Sequence, residues 1–199
     1  MTSVVAICNL ALSNVGKDNI SDLDELGTEA KLCKQFYAHV RDTVLQSYPW
    51  RFARKTASLG EIANTKDKRW GYAYKRPLDC LKILRINDEA FADYLPYDAG
   101  AVAGGHPYDV EGTTLFCHLT PAYLEYTVRL EDPTKFPPLF IEALSWHLAV
   151  RLAMPITRDP KVRADAYQLA MRMQNEAAVA DANEVRETSD YPSEMMEAR

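Results

Sequence analysis

Two pairs of carboxylates are the first residues that could do chemistry: Asp22 with Asp24, and Glu125 with Glu131. Paired acids can hydrolyse a glycosidic bond, one donating a proton while the other acts as base or nucleophile. Spacing alone places neither pair in a cleft, and acids in loops are usually just solvated. His147 falls on the apolar face of a helical pattern, where a core histidine bonded to a neighbour is the expected state. Gly104-Gly105-His106 has the composition of an oxyanion loop, but a glycine pair in a polar stretch is the ordinary signature of a turn. Cys8, Cys33, Cys80 and Cys117 are widely separated, and neither they nor His39, His106, His118 and His147 give a metal-binding spacing. Free, buried thiols are expected. The Gly-rich phosphate loops, the H-E-x-x-H helix and the G-x-S-x-G elbow are all missing from the sequence.

A different chemistry is suggested by Lys66, Lys68, Arg69, Lys75 and Arg76, interleaved with Trp70, Tyr72 and Tyr74. Cations among aromatics are the composition of a surface that neutralises phosphates and stacks bases. Asp67 sits inside the cluster and the chain carries a net charge of -5. Both facts favour a solvated hairpin tip over a sheet whose aromatics face the core, with Lys66, Lys68 and Arg69 as the residues that could face DNA.

The elements around these residues follow from periodicity. The chain has 199 residues, 47% of them hydrophobic and 26% charged, which is ordinary for a globular protein with a sizeable core. Val4, Ile7, Cys8, Ala11, Leu12 and Val15 predict a first helix, with Ser3 as N-cap and Gly16 as stop. A second helix starts at Thr28 as cap, carries the stripe Leu32, Cys33, Phe36, Tyr37, Val40 and Val44, and leaves Lys34, His39, Arg41 and Asp42 solvated. Pro49 closes it and holds Tyr48 extended. Trp50 and Phe52 lie two apart, so in an extended chain both would project to one face. Tyr48, Trp50 and Phe52 are therefore expected to form a joint between helix and sheet.

Short strands follow: Phe52 to Leu59, then Trp70, Tyr72 and Tyr74 in alternation, Leu81 to Ile86, Phe91 to Tyr97, and a hairpin around Gly112. Tyr123 to Leu130 is the clearest, with Leu124, Tyr126, Val128 and Leu130 on one face. Ala99 to Gly105 reads as a loop. Helix returns after Asp132-Pro133, with Pro137 and Pro138 in a first turn, Phe140, Ala143, Leu144, His147, Leu148, Arg151 and Leu152 inward and Pro155 as stop. Asp159-Pro160 starts a last helix that reaches about Arg186 and protrudes in its alanine-rich end. The expected fold class is α+β, a helical bundle from both chain ends (1–50 and 132–186) around a central antiparallel sheet or small barrel (51–131). A polar arm, 187–199, carries isolated Tyr191, Met195 and Met196 and orders on a partner. The first residues lack the basic start of a signal peptide, and no apolar run reaches membrane-spanning length.

The ordered motifs carry a resemblance. They are Leu10-Ala11-Leu12-Ser13-Asn14-Val15-Gly16, Ile20-Ser21-Asp22-Leu23, Glu29 to Tyr37, Val40-Arg41-Asp42-Thr43-Val44-Leu45 and Tyr48-Pro49-Trp50-Arg51-Phe52-Ala53. Tyr72-Ala73-Tyr74, Pro77 to Leu81, Asp132-Pro133, Phe136 and Phe140 to Leu144 follow. From Val4 to Met173 the chain resembles the tail tubular protein A family of short-tailed bacteriophages, the head-to-tail adaptors or connectors. The stretch from Val40 to Ala53 is the most specific, and it is a pattern of packing residues rather than a catalytic motif. The resemblance implies a non-enzymatic, cofactor-free virion protein at the head–tail junction, made in the host cytoplasm. It implies a homo-oligomeric ring, typically of twelve copies, joining the portal protein to the tail nozzle protein around the DNA exit channel, with no membrane involved. The last helix and the arm would correspond to the family's portal-embracing segment, making Tyr191, Met195 and Met196 the expected partner contacts. The arm is the least family-like part. Two other readings remain: a tail-associated glycan or cell-wall hydrolase using a carboxylate pair, and a DNA-binding module using the hairpin 66–76.

Overall fold

The computed structural model describes residues 2–66, 68–88 and 106–184. Four helices and two antiparallel sheets make an α+β fold. The expected strand Phe91 to Tyr97, the loop Ala99 to Gly105 and the arm 187–199 lie outside the described residues.

Helix α1 spans Val4–Ser13 and α2 spans Thr28–Ser47. Ser3 caps α1, its hydroxyl accepting from the Ala6 amide at 3.1 Å. Gly16 takes a left-handed φ of 68° just past the helix, and the Lys17 amide then reaches back to the Leu12 carbonyl. Thr28 is not the cap of α2: Gly27 holds that position in extended conformation, and Thr28 is the first helical residue.

The expected strand from Phe52 begins later. Arg51–Ala53 form one 3₁₀ turn, and strand β1 covers only Arg54–Ser58. Strands β2 (Glu61–Ile62), β3 (Tyr72–Lys75), β4 (Cys80–Asn87), β5 (Tyr108–Glu111), β6 (Thr114–Cys117) and β7 (Tyr123–Val128) follow. One sheet has the order β1-β7-β4 and the other β2-β3-β6-β5. Between them Tyr74, Leu115 and Cys117 of one sheet meet Ile86, Leu124 and Tyr126 of the other, so the two sheets share an apolar core. Gly112, at a left-handed φ of 58°, makes the turn between β5 and β6.

One alternation expectation is corrected. Trp70 does not share a face with Tyr72 and Tyr74: it packs with Ala73 and Phe116, because the chain bends at Gly71 before β3 begins. Strand β7 does carry Leu124, Tyr126 and Val128 into one core, and Glu125 and Thr127 between them are buried too, Glu125 against Arg54 and Arg85 of the flanking strands.

Helix α3 (Pro138–Thr157) packs on α1, α2 and α4 (Pro160–Asn183). Pro155 does not stop α3; it lies inside the last turn. The helix closes past it through the Thr157 hydroxyl on the Ala153 carbonyl and a left-handed Arg158 whose amide bonds the Met154 carbonyl. Arg151, expected inward, is exposed. α3 is also long and apolar enough by composition to cross a membrane, contrary to the sequence expectation. Its apolar character has a local reason: it is the helix on which the other three converge. The end of α4 does not protrude, since Ala177 and Asp181 are buried.

Phe140 stands at the centre of this bundle, fully buried against Trp50, Phe52 and Phe136. Phe140→Ala is expected to cost about 3–5 kcal/mol, read as a lowered urea midpoint with an unchanged slope.

Candidate functional site

The stretch Tyr48 to Phe52 brings most of the molecule together. Tyr48 leaves α2 in extended conformation and Pro49 offers no amide to continue the helix. The indole N–H of Trp50 instead donates to the Val44 carbonyl at 2.8 Å, satisfying an acceptor that the helix end leaves open. The Trp50 ring lies 5.0 Å from Tyr48, 5.8 Å from Phe52 and 5.1 Å from Phe140, mostly edge to face. Phe52 adds contacts to Phe140 at 4.8 Å and Phe136 at 6.2 Å. The two rings reach one cluster through a turn, not through the extended alternation expected, and their main partners are on and before α3. Leu81 and Val128 bring the sheet to the same core. The Arg51 amide is held by both carboxylate oxygens of Asp181 on α4, at 3.1 and 3.0 Å. Nothing in the spacing of Asp181 announced that role.

Arg41 was expected in solvent and is buried, 6% exposed. Its guanidinium meets Asp42 at 2.8 Å and Glu131 at 3.4 Å, and Asp42 in turn binds Arg129 at 2.8 Å. This chain of charges ties α2 to the segment leaving β7. Arg41 stands four residues after Tyr37 and three before Val44, so its helical spacing did mark it for the buried face.

The carboxylates singled out for acid–base work are placed separately. Asp22 and Asp24 are exposed on the loop before α2. Asp22 accepts from the Asp24 amide at 2.7 Å, and Asp24 pairs with Lys34. Glu125 is buried between the guanidiniums of Arg85 and Arg54, the latter at 3.3 Å, while Glu131 is exposed and bound to Arg41. Both carboxylates are thus engaged with guanidiniums, Glu125 with two and Glu131 with one.

In the basic loop, Lys66 lies 3.0 Å from Glu111 and 3.4 Å from Asp109, with its ammonium 4.8 Å from the Phe116 ring centre. Hydrogen bonding to Glu111 raises its pKa, with burial opposing the effect. Lys68 and Arg69 remain exposed, the Arg69 guanidinium 5.9 Å from the Trp70 ring. The aromatics are turned inward: Tyr74 donates to the Leu119 carbonyl at 2.6 Å, and Trp70 is covered by His118 at 5.0 Å. Arg76 is spent on the carbonyls of Cys80 and Leu81. Of the cluster, Lys68, Arg69 and Lys75 are the exposed cations left for a phosphate backbone, and the rings of Trp70 and Tyr74 are not presented for stacking.

His147 bonds Gln174 at 2.6 Å, and the Gln174 amide donates to the Ser47 hydroxyl at 3.1 Å, which donates to the Val44 carbonyl at 2.7 Å. One polar chain thus joins α3, α4 and the end of α2. All four cysteines are free and buried, and the Cys8 thiol, hydrogen-bonded to Cys33, is pushed up. Among the described residues no group of three or more His, Cys, Asp or Glu could hold a metal ion. Gly104 and Gly105, and the expected contacts Tyr191, Met195 and Met196, lie outside the described residues; His106 is exposed, its amide on the Ile86 carbonyl.

Two outcomes follow from these environments. Glu125→Gln is expected to lower stability by about 1.5–3 kcal/mol through lost charge-assisted bonds, measured by denaturant unfolding. Burial lowers the His147 pKa, opposed by the bond to Gln174 and reinforced by Arg151. The unfolded chain therefore takes up this proton first, so stability is full above about pH 6.5 and is lost as pH falls towards the folded value. Urea midpoints at pH 7.5 and 5.5 should show that loss, and His147→Gln should reduce it.

No protein-family model matches the chain, and no curated protein matches it.

Proposed function

We propose that the chain is a structural head-to-tail adaptor of a short-tailed bacteriophage, a ring subunit that joins portal to tail nozzle around the DNA exit channel. The observation that carries the reading is the stretch Val40 to Ala53. Its motif residues are the most family-like in the sequence, and Val44, Trp50 and Phe52 are the ones that fasten α2 to α3 and, with Asp181, to α4. A ring subunit needs a stiff body that transmits load between neighbours, and a joint built from packed rings and buried hydrogen bonds supplies stiffness without a cofactor. Net negative charge suits a wall around passing DNA, because like charge discourages sticking. In this reading the arm 187–199, with Tyr191, Met195 and Met196, engages the portal, and the nozzle meets another face of the ring.

The two remaining readings draw less support. A hydrolase would need one carboxyl free to carry a proton, and Glu125 is clamped by arginines. A nucleic-acid module would need more than the exposed cations Lys68, Arg69 and Lys75.

Native mass spectrometry of the chain mixed with the portal protein from the same virion tests the reading. The expected result is a stoichiometric ring of this chain on the portal, lost when residues 187–199 are deleted. A ring that survives the deletion keeps the adaptor and removes the arm from the contact. Failure to associate under every condition tried would reject the adaptor.

A further inference from the structure

All four thiols of the chain are free and buried, and burial by itself leaves a thiol inert. Two of them have an arrangement the others lack. Cys8 on α1 and Cys33 on α2 are fully buried, and their side chains are hydrogen-bonded to each other. Two sulfurs already in contact across a helix pair need little backbone movement to close an S–S bond. Cys80 and Cys117 are engaged elsewhere: Cys80 lies beside Arg76, and the Cys117 thiol is on the Leu119 carbonyl at 3.8 Å.

The two contacting thiols are also unequal. The hydrogen bond from Cys8 lowers the Cys33 pKa, while burial and Glu29 oppose it. Cys33 is therefore the sulfur that ionises first, and a thiolate is the form that reacts with oxidants. Tyr37, one turn after Cys33 on α2, has a buried hydroxyl with no hydrogen-bond partner among the described residues. Burial pushes its pKa up to about 12, with Arg41 lowering it and Cys8 raising it. A proton held that firmly stays available as a donor to a charged sulfur in the same buried cluster. A covalent link at this place would also add something to the fold. Helices α1 and α2 each pack extensively on α3 and only lightly on each other.

We propose that Cys8 and Cys33 are a redox pair, a dithiol that a peroxide converts into a disulfide locking α1 onto α2. Hydrogen peroxide is little larger than water and enters on ordinary local opening of the fold. The Cys33 thiolate attacks one peroxide oxygen: the O–O bond breaks, the S–O bond of a sulfenic acid forms, and the released hydroxide takes up the Cys33 proton as water. The Cys8 sulfur then displaces the sulfenic hydroxyl: the S–S bond forms, the S–O bond breaks, and the hydroxide leaves with the Cys8 proton as a second water. The two thiols lose two electrons and the peroxide gains them. The lock rests on these side chains alone and does not depend on the adaptor reading.

The experiment treats the folded full-length chain with hydrogen peroxide, blocks remaining thiols with iodoacetamide in denaturant, and maps the peptides without reduction. The expected result is a Cys8–Cys33 disulfide, with the melting temperature raised by about 5 °C or more and restored by dithiothreitol. Cys33→Ser should remove both the disulfide and the rise. Cys8→Ser should leave Cys33 as a sulfenic acid that dimedone captures. Four results overturn the proposal: no disulfide in the folded chain, a disulfide that joins other cysteines, one that forms only in unfolding urea, or an unchanged melting temperature once it has formed. If Cys33→Ser fails to fold, Cys33→Ala takes its place, and the peptide map of the unsubstituted chain decides in either case.

Discussion

Helix α2 ends at Ser47 because Tyr48 turns extended ahead of Pro49, and the structure is arranged around how the Val44 carbonyl at that helix end is satisfied. Val44 ends with two side-chain donors, the Trp50 indole and the Ser47 hydroxyl. Donating to Val44 fixes the indole against the end of α2, and its face and edges are then available to Phe140 and Phe52. Ser47 extends the same arrangement in another direction, through Gln174 to His147. An unsatisfied helix terminus thus becomes the point at which α2, α3 and α4 are aligned. Buried acceptors are costly when left open, so the constraint acts on the whole bundle.

The charged residues inside this body have a consistent use. Arg41, Asp42, Arg129 and Glu131 bridge α2 to the exit of β7, while Arg54, Arg85 and Glu125 cross the three-stranded sheet. Each group sits where two elements distant in sequence have to keep register. Ion pairs of this kind add modest stability and more geometric definition, because a slipped register would bury a charge alone.

Legibility in the sequence followed the range of the interaction. Most helix starts and stops set by neighbours were readable: Ser3, Gly16, Pro49 and Asp159-Pro160 act through atoms only a few residues away. Thr28 and Pro155 were misread by one residue and by half a turn, at ends that are equally local. The α+β class was readable from the change of period after Trp50. The 3₁₀ turn at Arg51–Ala53 was not, because Asp181, 130 residues on, holds the Arg51 amide. The face of Trp70 was misread because period-two counting assumes a strand, and β3 starts only at Tyr72. The burial of Arg41 needed its remote partner Glu131 to make sense. The candidate site was legible as a motif at Tyr48, Trp50 and Phe52, but its partners on α3 and α4 were not.

The order of elements along the chain has a consequence for synthesis. Helices α1 and α2 come off the ribosome first, yet α3, on which both pack, begins only at Pro138. At the usual 5–20 residues per second, their apolar faces wait on the order of ten seconds for that partner. β2 with β3 and β5 with β6 pair between sequence neighbours, and β1, β3 and β4 find partners further along the chain, but these strands all precede α3 and share a core of their own. The sheets can therefore settle while the helices are still unpaired. The nascent chain spends that interval with Tyr37, Val44 and Trp50 uncovered, which makes it a natural client for chaperones that recognise aromatic and aliphatic segments.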